Sequence, residues 1–149
     1  MNGDYILDAG ALGMLAEDNI QMRAMLLKIS GRGGHVFVPA VVLAECLGDA
    51  RHDPSYYRAL KDIGGLDECV IDLGAEIARR AGSILKHSRS RETIDGLIVA
   101  AAESLGSETR IVTGDRVHLE RLVTAAAVRL GVLELNALSK PPLKSGRPK

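Results

Sequence analysis

Tyr5-Ile6-Leu7-Asp8-Ala9-Gly10 is a short apolar run that delivers one carboxylate and then breaks into small residues. Bounded by Gly3-Asp4 before and Gly10 after, it suits a strand buried on both faces, as in a parallel sheet. Asp8 stands at its exit. In open α/β sheets, ligand sites collect beyond the carboxyl ends of the strands, which makes this acid the first candidate for chemistry.

Further along, His35-Val36-Phe37-Val38 reads as a second strand, with Pro39 at the first position of a helix that continues from Ala40 to Leu47. Cys69-Val70-Ile71-Asp72 reads as the third strand and Arg110-Ile111-Val112-Thr113 as the fourth, leaving into Gly114-Asp115; Val132 to Leu135 adds a last edge strand. Helical spacing fills the intervals. Leu12, Leu15 and Ala16 share a face, and Glu17-Asp18-Asn19 ends that helix. Met22, Met25, Leu26 and Ile29 line the next, which stops at Gly31-Arg32-Gly33-Gly34. Asp49 to Pro54 reads as a loop, and Tyr56, Tyr57, Leu60 and Ile63 as a short helix ending at Gly64-Gly65. Leu73, Ile77, Ala81, Ile84 and Leu85 mark a helix for which Asp72 is the expected N-cap. Ile94, Leu97, Ile98, Ala101 and Leu105 mark another, from Thr93 to Gly106, and His118 to Thr124 starts the last. This alternation predicts a three-layer α/β/α fold around a central, mainly parallel sheet of four to five strands. One domain is expected over residues 1–138, and a basic, Pro-rich, disordered tail over 139–149.

Composition excludes more than it assigns. Nineteen Lys and Arg balance nineteen Asp and Glu, so net charge is silent about partners. The absence of Trp and the single Phe leave few platforms for stacking bases. Cys46 and Cys69 form no C-x-x-C pair and read as reduced, buried thiols. There is no basic leader and no apolar run of the ~18 residues a membrane span needs, so a soluble, cytoplasmic protein is expected. Phosphate-binding G-x-x-x-x-G-K-[ST], nucleophile G-x-S-x-G and zinc H-E-x-x-H motifs are absent, and the four histidines are scattered.

Each remaining acid has an ordinary explanation. Glu45 rides an otherwise apolar helix and reads as a solvated edge or a site; Asp95 occupies a first helical turn, where the helix dipole favours it. The set carries more weight. Asp8 and Asp115 leave strands, Glu45 follows strand two and Asp95 opens the helix before strand four, positions that can converge at one end of the sheet. Convergent carboxylates without a basic partner raise one another's pKa or recruit a cation, and oxygen ligands suit Mg²⁺ or Mn²⁺. Arg79, Arg80, Lys86, Arg89 and Arg91 approach Asp95 in sequence, either as a solvated connector or as a grip on phosphates beside a metal site.

Four segments carry a family resemblance: Ile6-Leu7-Asp8-Ala9-Gly10-Ala11-Leu12, Pro39 to Glu45, Thr93-Ile94-Asp95-Gly96-Leu97-Ile98 with the alanines after it, and Ile111-Val112-Thr113-Gly114-Asp115 with His118-Leu119 following. In this order they resemble the PIN domain, and within it the small VapC-like toxins of bacterial and archaeal toxin–antitoxin pairs. The resemblance implies a Mg²⁺- or Mn²⁺-dependent endoribonuclease. Asp8, Glu45, Asp95 and Asp115 match its acidic quartet, with metal held mainly by Asp8, Asp95 and Asp115, and with Glu45 holding a second ion or orienting water. Thr113 matches its supporting hydroxyl residue. Hydrolysis of this kind leaves 5′-phosphate and 3′-hydroxyl ends. A small antitoxin protein and a homodimer are the implied partners. Where many relatives carry Ser or Thr just after the first acid, this chain has Ala9, Gly10 and Ala11. One rival is a non-catalytic PIN-like module that binds RNA or protein. Another is a phospho-acceptor domain or a different phosphohydrolase, against which no D-x-D-x-T follows the first strand.

Overall fold

β1 (Asp4–Leu7) is the middle strand of a five-stranded sheet in a computed structural model that describes residues 3–49, 53–114 and 116–135, the side chain of residue 118 excepted. Asp115, His52 and the expected 139–149 tail lie outside the described residues. With β2 (His35–Pro39), β3 (Val70–Ile71), β4 (Arg110–Thr113) and β5 (Gly131–Glu134), the sheet order is β3-β2-β1-β4-β5, and all four pairings are parallel. Ile6 pairs with Phe37 on one side and Ile111 on the other. Ile6 and Leu7 are wholly buried, as a strand covered on both faces requires.

Helices α1 (Ala9–Ala16), α2 (Ile20–Gly31), α3 (Ala40–Asp49) and α4 (Asp53–Asp62) form one packed group. After the one-turn α5 (Leu66–Cys69), α6 (Ala75–Ser88), α7 (Thr93–Leu105) and α8 (Arg116–Val123) form a second. The sheet lies between them, giving the three-layer α/β/α architecture. From β1 the chain winds outward to β2 and β3, then crosses back to β4 and on to β5. The winding direction therefore reverses between β1 and β4, and a crevice opens beyond the carboxyl ends of those two strands. α3 packs against both α1 and α7, so it reaches from one layer to the other. Among the described residues, no helix is long and apolar enough to cross a membrane.

Several local expectations are corrected. Asp72 does not cap α6: that helix begins at Ala75 behind Gly74, with no side-chain capping bond. A capping carboxylate must stand immediately before the first helical residue, and Asp72 stands two residues too early. The third strand has shrunk to Val70–Ile71, because Cys69 closes the α5 turn with its thiol buried beneath it. Pro54 lies in the first turn of α4 rather than in a loop, where its missing N–H costs no helical bond. Pro39 ends β2 and leaves the helix to begin at Ala40. α6 runs on through Lys86 and His87, so only 89–92 connect it to α7.

Candidate functional site

Asp8 is fixed by the way β1 becomes α1. Its N–H gives the last sheet bond, to the Val112 carbonyl at 3.1 Å, and its own carbonyl accepts the first helical bond, from Leu12 at 2.9 Å. Between them the side chain acts as N-cap: Oδ1 accepts the Ala11 N–H at 2.9 Å. Oδ2 accepts the hydroxyl of Thr113, itself fully buried at the end of β4. Burial pushes the Asp8 carboxyl above its ordinary pKa, opposed by hydrogen bonds from Thr113, Ala11, Gly114 and Gly10. The group is thus held in one orientation and charged at a cost.

A second segment approaches at Gly10. A Cβ at that position would stand 3.6 Å from Asp8 Oδ1 and 3.6 Å from both Cα and N of Gly114, so the exit of β4 lies against the first turn of α1. Gly114 is the residue before Asp115, which is outside the described residues.

Glu45 is exposed on α3, and Asp95 is half-buried in the first turn of α7. Because α3 touches both α1 and α7, these two acids reach the place where Asp8 leaves the sheet. A cleft of about 470 Å³ is lined by Asp8, Ala9 and Gly10 on one side, Glu45 on another, and Arg91 to Asp95 with Ile98 on the third. Three of the four expected acids therefore share one open space. Glu92 joins them and was not singled out from sequence. It is the N-cap of α7 yet makes no side-chain capping bond, so its carboxylate is not engaged in closing the helix. Its spacing of three from Asp95, on the same helix edge, is the signal that could have found it.

The acids face a common cleft without forming a closed chelate. Among the described residues, no three His, Cys, Asp or Glu side chains are grouped closely enough to hold a metal ion. In kind, the donor set fits a hard divalent ion that keeps part of its water shell, since the acids of the cleft wall offer carboxylate oxygen and no sulfur or imidazole. Cys46, next to Glu45, turns its thiol toward the Ala9 carbonyl at 3.7 Å. Its pKa is pushed up to about 11, by burial first and then by the negative charges of Glu45, Asp8 and Asp49.

The basic residues separate. Arg79 pairs with Glu76 on its own helix. Arg80 forms a two-pronged bond with Glu103, Nε to Oε1 and Nη2 to Oε2 at 2.7 Å each, and that bond holds the Glu103 carboxyl below its ordinary pKa. Glu103 lies eight residues beyond Asp95, about 12 Å along the helix at 1.5 Å per residue, so Arg80 is committed away from the cleft. Lys86 and Arg89 are exposed but do not line it. Arg91 does.

No curated protein sequence matches the chain. Among solved structures, it is similar to VapBC2 from Rickettsia felis bound to a DNA fragment from its promoter, at 16% identity and a TM-score of 0.64, covering 88% of this chain and 99% of that one. It is also similar to DNA-bound VapBC from Salmonella typhimurium, at 19% identity and a TM-score of 0.58, covering 87% and 98%. At these identities the likeness is one of fold. The family model described as PIN domain matches residues 5–123. That span runs from β1 through α8 and contains every element that borders the cleft, so the chain belongs to the PIN domain family.

Proposed function

We propose that the chain is a Mg²⁺- or Mn²⁺-dependent endoribonuclease and acts as the toxin of a toxin–antitoxin pair. The observation that carries this reading is the convergence of Asp8, Glu45 and Asp95 on one open cleft where the winding of the sheet reverses. A phosphodiester suits such a wall of acids, because its hydrolysis develops negative charge that a divalent ion can neutralise; the resemblance is what supports RNA as the polymer. Asp8 and Asp95 would hold the ion, together with Asp115, and Glu45 through water. When bound, the ion polarises the phosphate and lowers the pKa of an attacking water.

The chain's own groups prepare this. Thr113 and the Ala11 N–H fix the Asp8 carboxylate so that it need not reorient as charge develops. Burial raises the Asp8 pKa, and a neighbouring cation would reverse that effect and favour the ionised form. Glu45, exposed on the cleft wall, would orient the attacking water and take its proton. Water attack needs no ribose 2′-hydroxyl, so the products carry 5′-phosphates and 3′-hydroxyls. The family and the VapBC likeness support a small antitoxin as partner, and the resemblance supports a homodimer and a cytoplasmic setting.

The test is cleavage of total cellular RNA by purified protein with Mg²⁺, Mn²⁺ or EDTA, comparing wild type with Asp95→Asn and mapping product ends. Metal-dependent cuts that vanish in the variant and leave 5′-phosphates are expected. A 2′,3′-cyclic phosphate end would contradict the mechanism. The rival reading is a non-catalytic RNA- or protein-binding module on the same fold. Calorimetry that found no Mn²⁺ binding dependent on Asp95 would put that reading ahead.

A further inference from the structure

A cleft walled by Asp8, Glu45, Glu92 and Asp95 repels a polyanion, so RNA needs a cation of the protein at its edge as well as any metal within. Of Arg79, Arg80, Lys86, Arg89 and Arg91, Arg91 alone lines the cleft, and it makes no ion pair among the described residues, unlike Arg79 and Arg80. Its position is set by a tightly bonded turn. α6 ends with Arg89 in the left-handed region, at φ 55°, whose N–H donates to the Lys86 carbonyl at 3.2 Å, while the Ser90 N–H reaches back to Leu85 at 2.9 Å. Ser90 Oγ then accepts the Glu92 N–H at 3.0 Å, and the Arg91 carbonyl accepts the Thr93 N–H at 2.9 Å. The backbone on both sides of Arg91 is thereby tied down, and its guanidinium starts from a fixed point on the cleft wall.

We propose that Arg91 is the substrate-positioning residue of the cleft, its guanidinium holding a phosphodiester of the RNA backbone beside the carboxylate wall. This rests on the nuclease reading and narrows it: the grip is one arginine on the α6–α7 turn, and the basic stretch as a whole does not form it. A planar guanidinium matches a phosphate with two parallel N–H···O bonds, which an ammonium does not reproduce.

Two measurements test it on the full chain. In the first, a short fluorescein-labelled single-stranded RNA is titrated in EDTA at several salt concentrations. In the second, cleavage at a mapped site is followed with Mn²⁺. Arg91→Ala should weaken binding and raise KM about tenfold with kcat nearly unchanged, and should reduce the salt slope by about 0.7, the share of one phosphate contact on a single strand. Arg91→Lys should restore the slope but only part of KM. Arg32→Ala, at the opposite end of the sheet where β2 begins, should change neither. An Arg91→Ala protein with wild-type slope and KM overturns the proposal, as does a fall in kcat alone. If Asp95→Asn abolishes cleavage while Arg91→Ala is neutral, only this proposal fails. If wild type cuts nothing, the nuclease reading fails, and the salt slope still decides whether Arg91 contacts RNA.

Discussion

Gly96 follows Asp95 in the first turn of α7 and is buried against the end of α6. A Cβ there would stand 2.7 Å from Leu85 Cγ, 2.8 Å from Cδ2 and 3.1 Å from Cδ1, all closer than the ~3.5–4.0 Å of ordinary carbon contact. Gly96→Ala therefore sets two effects against each other. Alanine stabilises a helix interior by about 1 kcal/mol relative to glycine, whereas forcing a methyl into a filled space costs about 1–3 kcal/mol. The expected result is a net loss of about 0–2 kcal/mol, because Leu85 Cγ sits near the root of its side chain and cannot swing clear. Shortening Leu85 removes the obstacle. In a Leu85→Ala background the same Gly96→Ala change should stabilise by about 1 kcal/mol, so the sign of the effect reverses. Urea unfolding of wild type, both single variants and the double variant measures this directly. Gly96→Ala should also lower RNA cleavage in the wild-type background, because displacing the first turn of α7 displaces Asp95. Equal stabilisation by Gly96→Ala in both backgrounds would refute the close approach of α6 and α7 on which the position of Asp95 depends.

Asp8→Asn should abolish cleavage yet, with EDTA present, stabilise the fold at neutral pH. With its native pKa raised by burial, Asp8 favours the folded state below its ordinary pKa of 3.8, and that advantage is lost as pH rises through the raised native value; the stability gap between variant and wild type should therefore widen over this window in denaturation series from acid to neutral pH. Arg80→Ala should cost about 1–2 kcal/mol by removing both guanidinium bonds from Glu103, which keeps the bond from the Ala127 N–H, while RNA affinity stays at the wild-type level. Because Arg80 lowers the Glu103 pKa, that stability is present above 4.5 and is lost as pH falls through the lowered value, so the variant should show a flatter acid limb in the same series.

The fold was legible where burial on two faces left an unbroken signature. Tyr5 to Leu7 and Arg110 to Thr113 carry no polar alternation, and each became a strand in a sheet covered on both sides. Where the determinant was tertiary, sequence failed. Leu66 to Cys69 is a single turn, too short to show a period; the Cys69 N–H closes it on the Gly65 carbonyl at 2.9 Å, and the buried Cys69 thiol lies toward the Leu60 carbonyl of α4 at 3.9 Å. Lys86 and His87 looked like a connector because charged residues mark solvent in either state; the helix ends only where Arg89 turns left-handed.

The site was legible to a similar depth, and for a related reason. A carboxylate at a strand exit is visible in sequence, although helix capping also places acids there, and Asp8 does cap α1 while its other oxygen takes the Thr113 hydroxyl. Glu45 and Asp95 come to the same cleft only because α3 bridges the two helical layers, a contact between segments some fifty residues apart that no local pattern encodes. The basic stretch shows the converse. Arg79 to Arg91 read as one patch because composition counts charges and not partners, yet Glu76 and Glu103 claim two of them and the α6–α7 turn delivers Arg91 to the acids. Glu103 belongs to the neighbouring helix of the α6–α7 hairpin, so its choice of Arg80 over Arg79 depends on which face of α6 meets α7. Charge near a cleft therefore acquires meaning only after the packing has decided which charges are already spent. In this chain that leaves acids gathered at the turn-around of the sheet and one arginine of the stretch lining their cleft, the only one of the five through which the stretch could offset their charge there.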